Sequence, residues 1–272
     1  MAAAVRGGAH RQSVAEESVI IRVVKAIRLS VPSSIKGIKH QGANTMENTT
    51  TSDNNVLTST LWYDDQHNIN EQAHKAELIV RHEWQQFQQV NNEGGRANCQ
   101  GNWPTFHQMR ISQFLTWRLD LLDSYAQDLD DADESGRNLL TEKYARMMES
   151  TEPERYHAEL EPSLPVLDPE RVAAQEAVIK QQVAWARDFR ERYPKLGQAM
   201  RVLTTDEDVI GTTSFETYLR GELGTYSDRT FHKYALMIID LRNAGVNLTE
   251  QTIATTVILG GFDGLEEAEA AQ

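Results

Sequence analysis

The chain has 272 residues with a formal net charge of −13, and 40% of its residues are hydrophobic. An acidic folded chain of this kind excludes a general nucleic-acid binder, because phosphate backbones attract basic surfaces. No apolar run approaches the ~18 residues that a membrane-spanning helix needs, and the single cysteine, Cys99, excludes an intrachain disulfide. We therefore expect a cytoplasmic protein that does not cross a membrane.

The first 45 residues differ in charge from the rest of the chain. They contain seven Lys or Arg and two Glu, whereas the remainder contains 20 basic and 38 acidic residues. Such a step marks a boundary. We predict a disordered basic and polar extension over residues 1–65 and one domain over residues 66–272. Residues 1–45 are either a start-site artefact upstream of Met46, a transit peptide, or a basic arm that contacts membrane or RNA.

Helical periodicity dominates from about residue 66 onward. The predicted helices cover residues 71–90, 104–135, 142–148, 169–193, 214–223, 227–244 and 249–259. A short turn is predicted from Pro153, and residues 196–213 are predicted as loop. Because no stretch alternates with the period of a strand, we predict an all-α, single-domain bundle of six to eight helices.

Two segments of the predicted domain share a pattern. Gly136 follows Tyr125 at the same spacing at which Gly245 follows Tyr234, and an Asn-Leu pair comes shortly after each glycine. Each copy is typical of a helix closed by a left-handed glycine, with a second helix running back. The sequence therefore predicts an internal repeat of two helical hairpins.

The first hairpin also matches the ligand spacing of a calcium-binding loop. The oxygen ligands of this pattern would be Asp131, Asp133, Ser135 and Glu142. Loop position 8, which is normally apolar, is Asn138, and the second hairpin keeps the glycine without the ligands. We therefore predict no metal site, and no nucleotide-binding glycine pattern or Cys/His cluster indicates a cofactor.

Several polar residues lie next to apolar positions of the predicted helices. The candidate ligand-binding residues are Arg96, Cys99, Gln100, Arg110, Gln113, Trp117, Arg146 and Arg220. The candidate catalytic residues are Glu142 or Glu216 as a base, with Tyr144 or Tyr218 as a hydrogen-bond partner. Arg96, Arg110 and Arg220 would hold an anionic group of the ligand.

Two interpretations of this set remain open. Because buried charges must be paired, the residues form either a site for a small anionic or polar molecule, enzymatic or not, or a structural ion network. In the second case the chain is a helical module that serves a partner protein. Convergence of the candidate residues on one pocket would favour the first interpretation.

Four segments carry a further signal, namely residues 94–100, 105–117, 136–148 and 213–223. Together they resemble an uncharacterised bacterial family, domain of unknown function 4125, over about residues 71–268. The resemblance implies a bacterial single-domain protein that lacks the basic arm, and it suggests a nucleotidyltransferase-like protein as a partner. It implies no activity and no site residue.

Overall fold

The computed structural model describes residues 70–91 and 98–272. The predictions for residues 1–65 and for Arg96 therefore lie outside the described residues. The described part contains eleven α-helices and no strand, which confirms the all-α fold class. The helix count exceeds the predicted six to eight, because some helices are short and one predicted helix is divided.

Nine of the helices have seven residues or more. In chain order they are α1 (Glu71–Gln88), α2 (Trp103–Phe114), α3 (Leu119–Glu134), α4 (Leu139–Thr151), α5 (Pro169–Arg192), α6 (Phe215–Leu223), α7 (Asp228–Asn243), α8 (Leu248–Leu259) and α9 (Leu265–Ala271). The connections contain two short α-helices, Pro153–Arg155 and Pro194–Gln198, a π-turn over Tyr156–Leu160, and 3₁₀ turns over Asn98–Gly101, Glu161–Ser163 and Thr205–Glu207.

The single helix predicted over residues 104–135 is wrong, because the chain turns after Phe114 to separate α2 from α3. The Thr116 hydroxyl donates to the Gln113 carbonyl at 2.7 Å, and the backbone at Arg118 is extended. A threonine hydroxyl that bonds the helix end in this way competes with helical hydrogen bonding. The prediction also missed α9 and the short helix Pro194–Gln198, which are too brief to show a clear period.

The fold consists of two related halves, α1–α4 and α5–α8. In the first half α1 packs against α2, α3 and α4, and in the second half α5 packs against α6, α7 and α8. Local hydrogen bonds recur as well. The hydroxyls of Thr116 and Thr225 donate to the carbonyls of Gln113 and Glu222 at 2.7 and 2.8 Å, at the equivalent ends of α2 and α6. The repeat therefore extends beyond the hairpins seen in the sequence.

The two hairpins close in the same manner. Gly136 and Gly245 have φ angles of +70° and +69°, a region that glycine adopts without steric cost. The residue after each glycine donates its backbone N–H to the last turn of the preceding helix, at 2.8 and 2.9 Å. Asn138 and Asn247 then cap α4 and α8.

The halves interlock around a pseudo-twofold axis. The second helix of each half packs on the fourth helix of the other, α2 on α8 and α6 on α4. The equivalent rings of Trp117 and Tyr226 lie 6.0 Å apart. The crossed ring pairs also match, since Trp117 lies 5.4 Å from Tyr234 and Tyr226 lies 5.1 Å from Tyr125. Both halves therefore share one aromatic core.

Candidate functional site

A cavity of about 400 Å³ lies between α2, α4, α6 and α8. Its lining includes equivalent residues of the two halves, in the pairs Phe106 and Phe215, Met109 and Tyr218, Leu140 and Thr249, and Tyr144 and Ile253. Residues after α5 and in α9 complete a mostly apolar wall. This volume falls in the range of roughly 300–1,000 Å³ that is typical of small-molecule sites.

One side of the cavity is formed by a buried ion network. Arg110 donates to both carboxylate oxygens of Glu83 at 2.6 Å and approaches both oxygens of Glu222 at 3.2 Å. Lys143 Nζ donates to Glu222 Oε2 at 2.6 Å, and Gln113 Nε2 donates to Glu222 Oε1 at 2.8 Å. The network joins α1, α2, α4 and α6, so it fixes the side chains at this end of the cavity.

The charges of this network are balanced, with two cations facing two carboxylates. Burial alone would raise the pKa of Glu222, but Arg110 and Lys143 hold it well below its usual range. Burial lowers the pKa of Lys143 although Glu222 opposes the effect. For Arg110, the attraction of Glu222 and Glu83 outweighs burial and raises the pKa. Glu222 and Arg110 are therefore an ion pair at neutral pH.

Two buried tyrosines complete the network. Tyr125 donates its hydroxyl to Glu83 at 2.7 Å, and Tyr226 donates to Glu222 at 3.0 Å. Burial raises the pKa of both phenols, and the neighbouring carboxylates raise it further. Both tyrosines consequently stay protonated, and they act as hydrogen-bond donors to the carboxylates.

The counterparts of Arg110 and Glu83 in the second half are uncharged. Leu219 occupies the position equivalent to Arg110, and Gln182 occupies the position equivalent to Glu83. Tyr234, the counterpart of Tyr125, donates to Gln182 Oε1 at 3.0 Å. The cavity is therefore bordered by a charged wall, the ion network that both halves build, and by the uncharged pair Gln182 and Leu219 of the second half.

One family model matches residues 74–270, with the description "Protein of unknown function (DUF4125)". The match takes in both halves of the fold and all the cavity-lining residues except Gln272. The chain belongs to the DUF4125 family. Searches of curated proteins and of solved structures returned no match. The description of this family assigns no function to the domain.

Six of the candidate residues predicted from the sequence line the cavity of this DUF4125 domain. They are Cys99, Arg110, Gln113, Trp117, Tyr144 and Tyr218. Both proposed hydrogen-bonding tyrosines are among them, and so is one of the proposed anion-binding arginines. The convergence favours a ligand site over a purely structural interpretation.

Both proposed catalytic carboxylates lie outside the cavity lining. Glu142 pairs with Arg137 at 2.7 Å, and Glu216 pairs with Arg220 at 2.8 Å. Arg220 also donates to Glu176. A base must reach the proton that it removes, so neither carboxylate has that role on a ligand in the cavity.

Two further candidate residues, Gln100 and Arg146, donate hydrogen bonds to backbone carbonyls. Gln100 is buried and donates to the carbonyls of Phe87 and Val90, where it satisfies the end of α1. Arg146 donates to the Pro165 carbonyl at 2.6 Å. Both side chains hold connections to helices, and neither lines the cavity.

The sequence interpretation missed the residues that make the charged wall. Lys143, Glu83 and Glu222 were not among the candidates, although Lys143 and Glu222 stand inside motifs that carry the family resemblance. The repeat was the available signal. Extending it back from Tyr234 pairs Glu222 with Gln113, which was already a candidate, and places both on the axis.

The residues of the calcium pattern have other partners. Asp133 accepts hydrogen bonds from Gln86 and interacts with His82, both at 2.8 Å. Within residues 70–91 and 98–272, no group of three or more His, Cys, Asp or Glu side chains is arranged to hold a metal ion. Over the same residues, no helix combines the length and the apolar character that crossing a membrane requires.

The ion network should make the free energy of unfolding depend on pH in the acid range. Because the pKa of Glu222 lies below its usual value of 4.5 in the folded state, the unfolded chain takes up this proton first. The stability that results is fully present above that usual value and is lost as the pH falls below it. Urea unfolding at a series of pH values should therefore show a steeper loss below about pH 4.5 in the wild type than in Glu222→Gln. Parallel profiles would contradict the assignment.

Proposed function

We propose that the domain binds a small, largely apolar molecule in the cavity on the pseudo-twofold axis. The supporting observation is the lining itself: apolar side chains from both halves surround the space, and a few buried polar groups lie along one side. Small-molecule sites in proteins combine these features. The presence of a single cysteine in the sequence agrees with a cytoplasmic location for this activity.

The charge balance within the ion network favours a neutral ligand over the anionic one expected from the sequence. Arg110 and Lys143 already face Glu83 and Glu222 at 2.6 Å. A buried anion would compete with Glu222 for the same cations, at a large desolvation cost. In the proposal, the network acts as a rigid polar wall that orients the ligand.

A cavity-filling variant tests the proposal. Thr252 lines the cavity from α8, whereas Thr255 on the same helix does not. We expect a bound metabolite to raise the thermal midpoint of the wild type by about 5–10 °C at saturating concentration. Thr252→Trp should abolish that shift because its indole occupies the space, and the matched control Thr255→Trp should retain it.

The measurement is a thermal-shift screen with a library of small neutral and acidic metabolites. A ligand that stabilises Thr252→Trp and Thr255→Trp equally binds elsewhere and would overturn the proposal. Failure of the whole library to shift the wild type would favour the other interpretation, a helical module for a partner protein, because that function does not need the cavity.

A further inference from the structure

One buried donor of a cavity-lining residue has no hydrogen-bond partner in the structure. Gln182 is 5% exposed and lines the cavity, and its Oε1 accepts from Tyr234. Some buried side-chain atoms of the described residues lack a hydrogen bond, and among these Gln182 Nε2 alone belongs to a cavity-lining residue. A buried amide that keeps an unpaired N–H is costly, so this donor requires an explanation.

The pseudo-symmetry supplies one. In the first half, Glu83 is fully covered because the Arg110 guanidinium binds both of its oxygens. In the second half the equivalent pair is Gln182 and Leu219, and both residues line the cavity. Leucine has no group that can pair with the amide. The partner that Arg110 provides for Glu83 in the first half is therefore missing for Gln182 in the second half.

The orientation of the Gln182 amide follows from the same comparison. Tyr125 donates its hydroxyl to Glu83, which as a carboxylate can only accept. Tyr234 donates in the same way to the Oε1 atom of Gln182. Because Oε1 already accepts from Tyr234, the group of Gln182 that lacks a partner is the Nε2 donor. A ligand atom that pairs with it must be a hydrogen-bond acceptor.

We propose that Gln182 Nε2 donates a hydrogen bond to an uncharged carbonyl oxygen of the ligand, as in a ketone, an ester or an amide. This inference rests on the proposed function, since it assigns the polar end of the molecule that fills the cavity. Because Nε2 is screened from solvent, the contact requires a rotation about the terminal side-chain bonds of Gln182.

The acceptor is uncharged because of what surrounds it. A carboxylate beside Gln182 would meet a neutral amide, and Arg110 and Lys143 already face Glu83 and Glu222. Arg201, a further cation of the lining, lies over the Tyr218 ring. Burying a charge without a partner costs far more than burying a hydrogen-bonded carbonyl. A neutral acceptor satisfies the donor without that penalty.

The test compares acetophenone with α-methylstyrene, which has nearly the same shape but carries a methylene group in place of the carbonyl oxygen. Dissociation constants of both are measured by NMR titration on the full chain. We expect Gln182→Met to reduce the ratio of the α-methylstyrene constant to the acetophenone constant by about 3- to 10-fold, the range for loss of one neutral hydrogen bond. Comparing variants removes the different hydration of the two probes.

Gln175→Met is the matched control. Gln175 lies on the same helix, is 3% exposed and also has an unpaired amide atom, but it does not line the cavity. Its substitution should leave the ratio unchanged. If Gln182→Met does not fold, the side-chain amide signal of Gln182 in the wild type gives the answer, because acetophenone should shift it more than α-methylstyrene does.

The outcomes separate the two proposals. If both probes bind, Thr252→Trp blocks them and the ratio is equal in wild type and Gln182→Met, the cavity site stands and the carbonyl contact is wrong. Benzoate binding more tightly than acetophenone would also overturn the neutral acceptor. If neither probe binds and the metabolite screen is negative, the proposed function itself fails, and the inference fails with it.

Discussion

Glu222→Leu should lower the free energy of unfolding by about 3–5 kcal/mol. The Glu222 carboxylate accepts hydrogen bonds from Arg110, Lys143, Gln113 and Tyr226. Its removal leaves Lys143 buried without a counter-charge, and a buried unpaired charge is among the most destabilising changes in a protein. Urea unfolding at neutral pH, followed by circular dichroism, measures the loss.

The control is Glu176→Leu, which removes a carboxylate that is 42% exposed and leaves Arg220 paired with Glu216. We expect a loss of at most about 1 kcal/mol there, as for other exposed pairs. The double variant Lys143→Met, Glu222→Leu should be more stable than Glu222→Leu alone, because it removes both partners and keeps the Arg110–Glu83 pair. Additive losses would show that Lys143 and Glu222 do not interact.

Gly221→Ala should destabilise the fold by about 1–3 kcal/mol, although alanine is normally preferred to glycine within a helix by about 1 kcal/mol. A β-carbon at Gly221 would lie 2.8 Å from the Lys143 carbonyl oxygen and 2.8 Å from Met147 Cγ. α6 would therefore have to move away from α4, and the ion network between them would be displaced. The readout is again the free energy of unfolding.

Gly101→Ala provides the comparison, because a β-carbon there would meet no atom within 4 Å. Its stability should be unchanged or slightly increased. A stable Gly221→Ala protein would mean that α4 and α6 can separate at little cost, and it would remove the argument that their close contact fixes Lys143 beside Glu222.

The sequence was most informative where structure is local. Gly136 and Gly245 end their helices, and Asn138 and Asn247 cap the following ones, because such signals depend only on neighbouring residues. Glu216 and Arg220, four positions apart on one helix, form the ion pair that such spacing favours. For the same reason the helical hairpins could be recognised as related before their packing was known.

The charged wall could not be predicted in this way, because its partners are distant in sequence. Arg110 meets Glu222 across more than a hundred residues, and only the crossing of the two halves brings them together. Local spacing is misleading for Glu142, because Arg146 lies four positions later on the same helix but Glu142 contacts Arg137 instead. Without the topology, a charged residue on a helix has several equally reasonable partners.

The contact between Gln113 and Glu222, 2.8 Å long and on the axis, has a consequence for ligand orientation. In a dimer of identical repeats this contact would join two copies of one residue, either two repelling carboxylates or two amides. In a single chain that contains both repeats, the two equivalent positions can hold different residues, because each half can be substituted separately. A ligand on a true twofold axis has two equivalent poses. Here one wall carries charge and the other an unpaired amide, so the two poses differ in energy and one is selected.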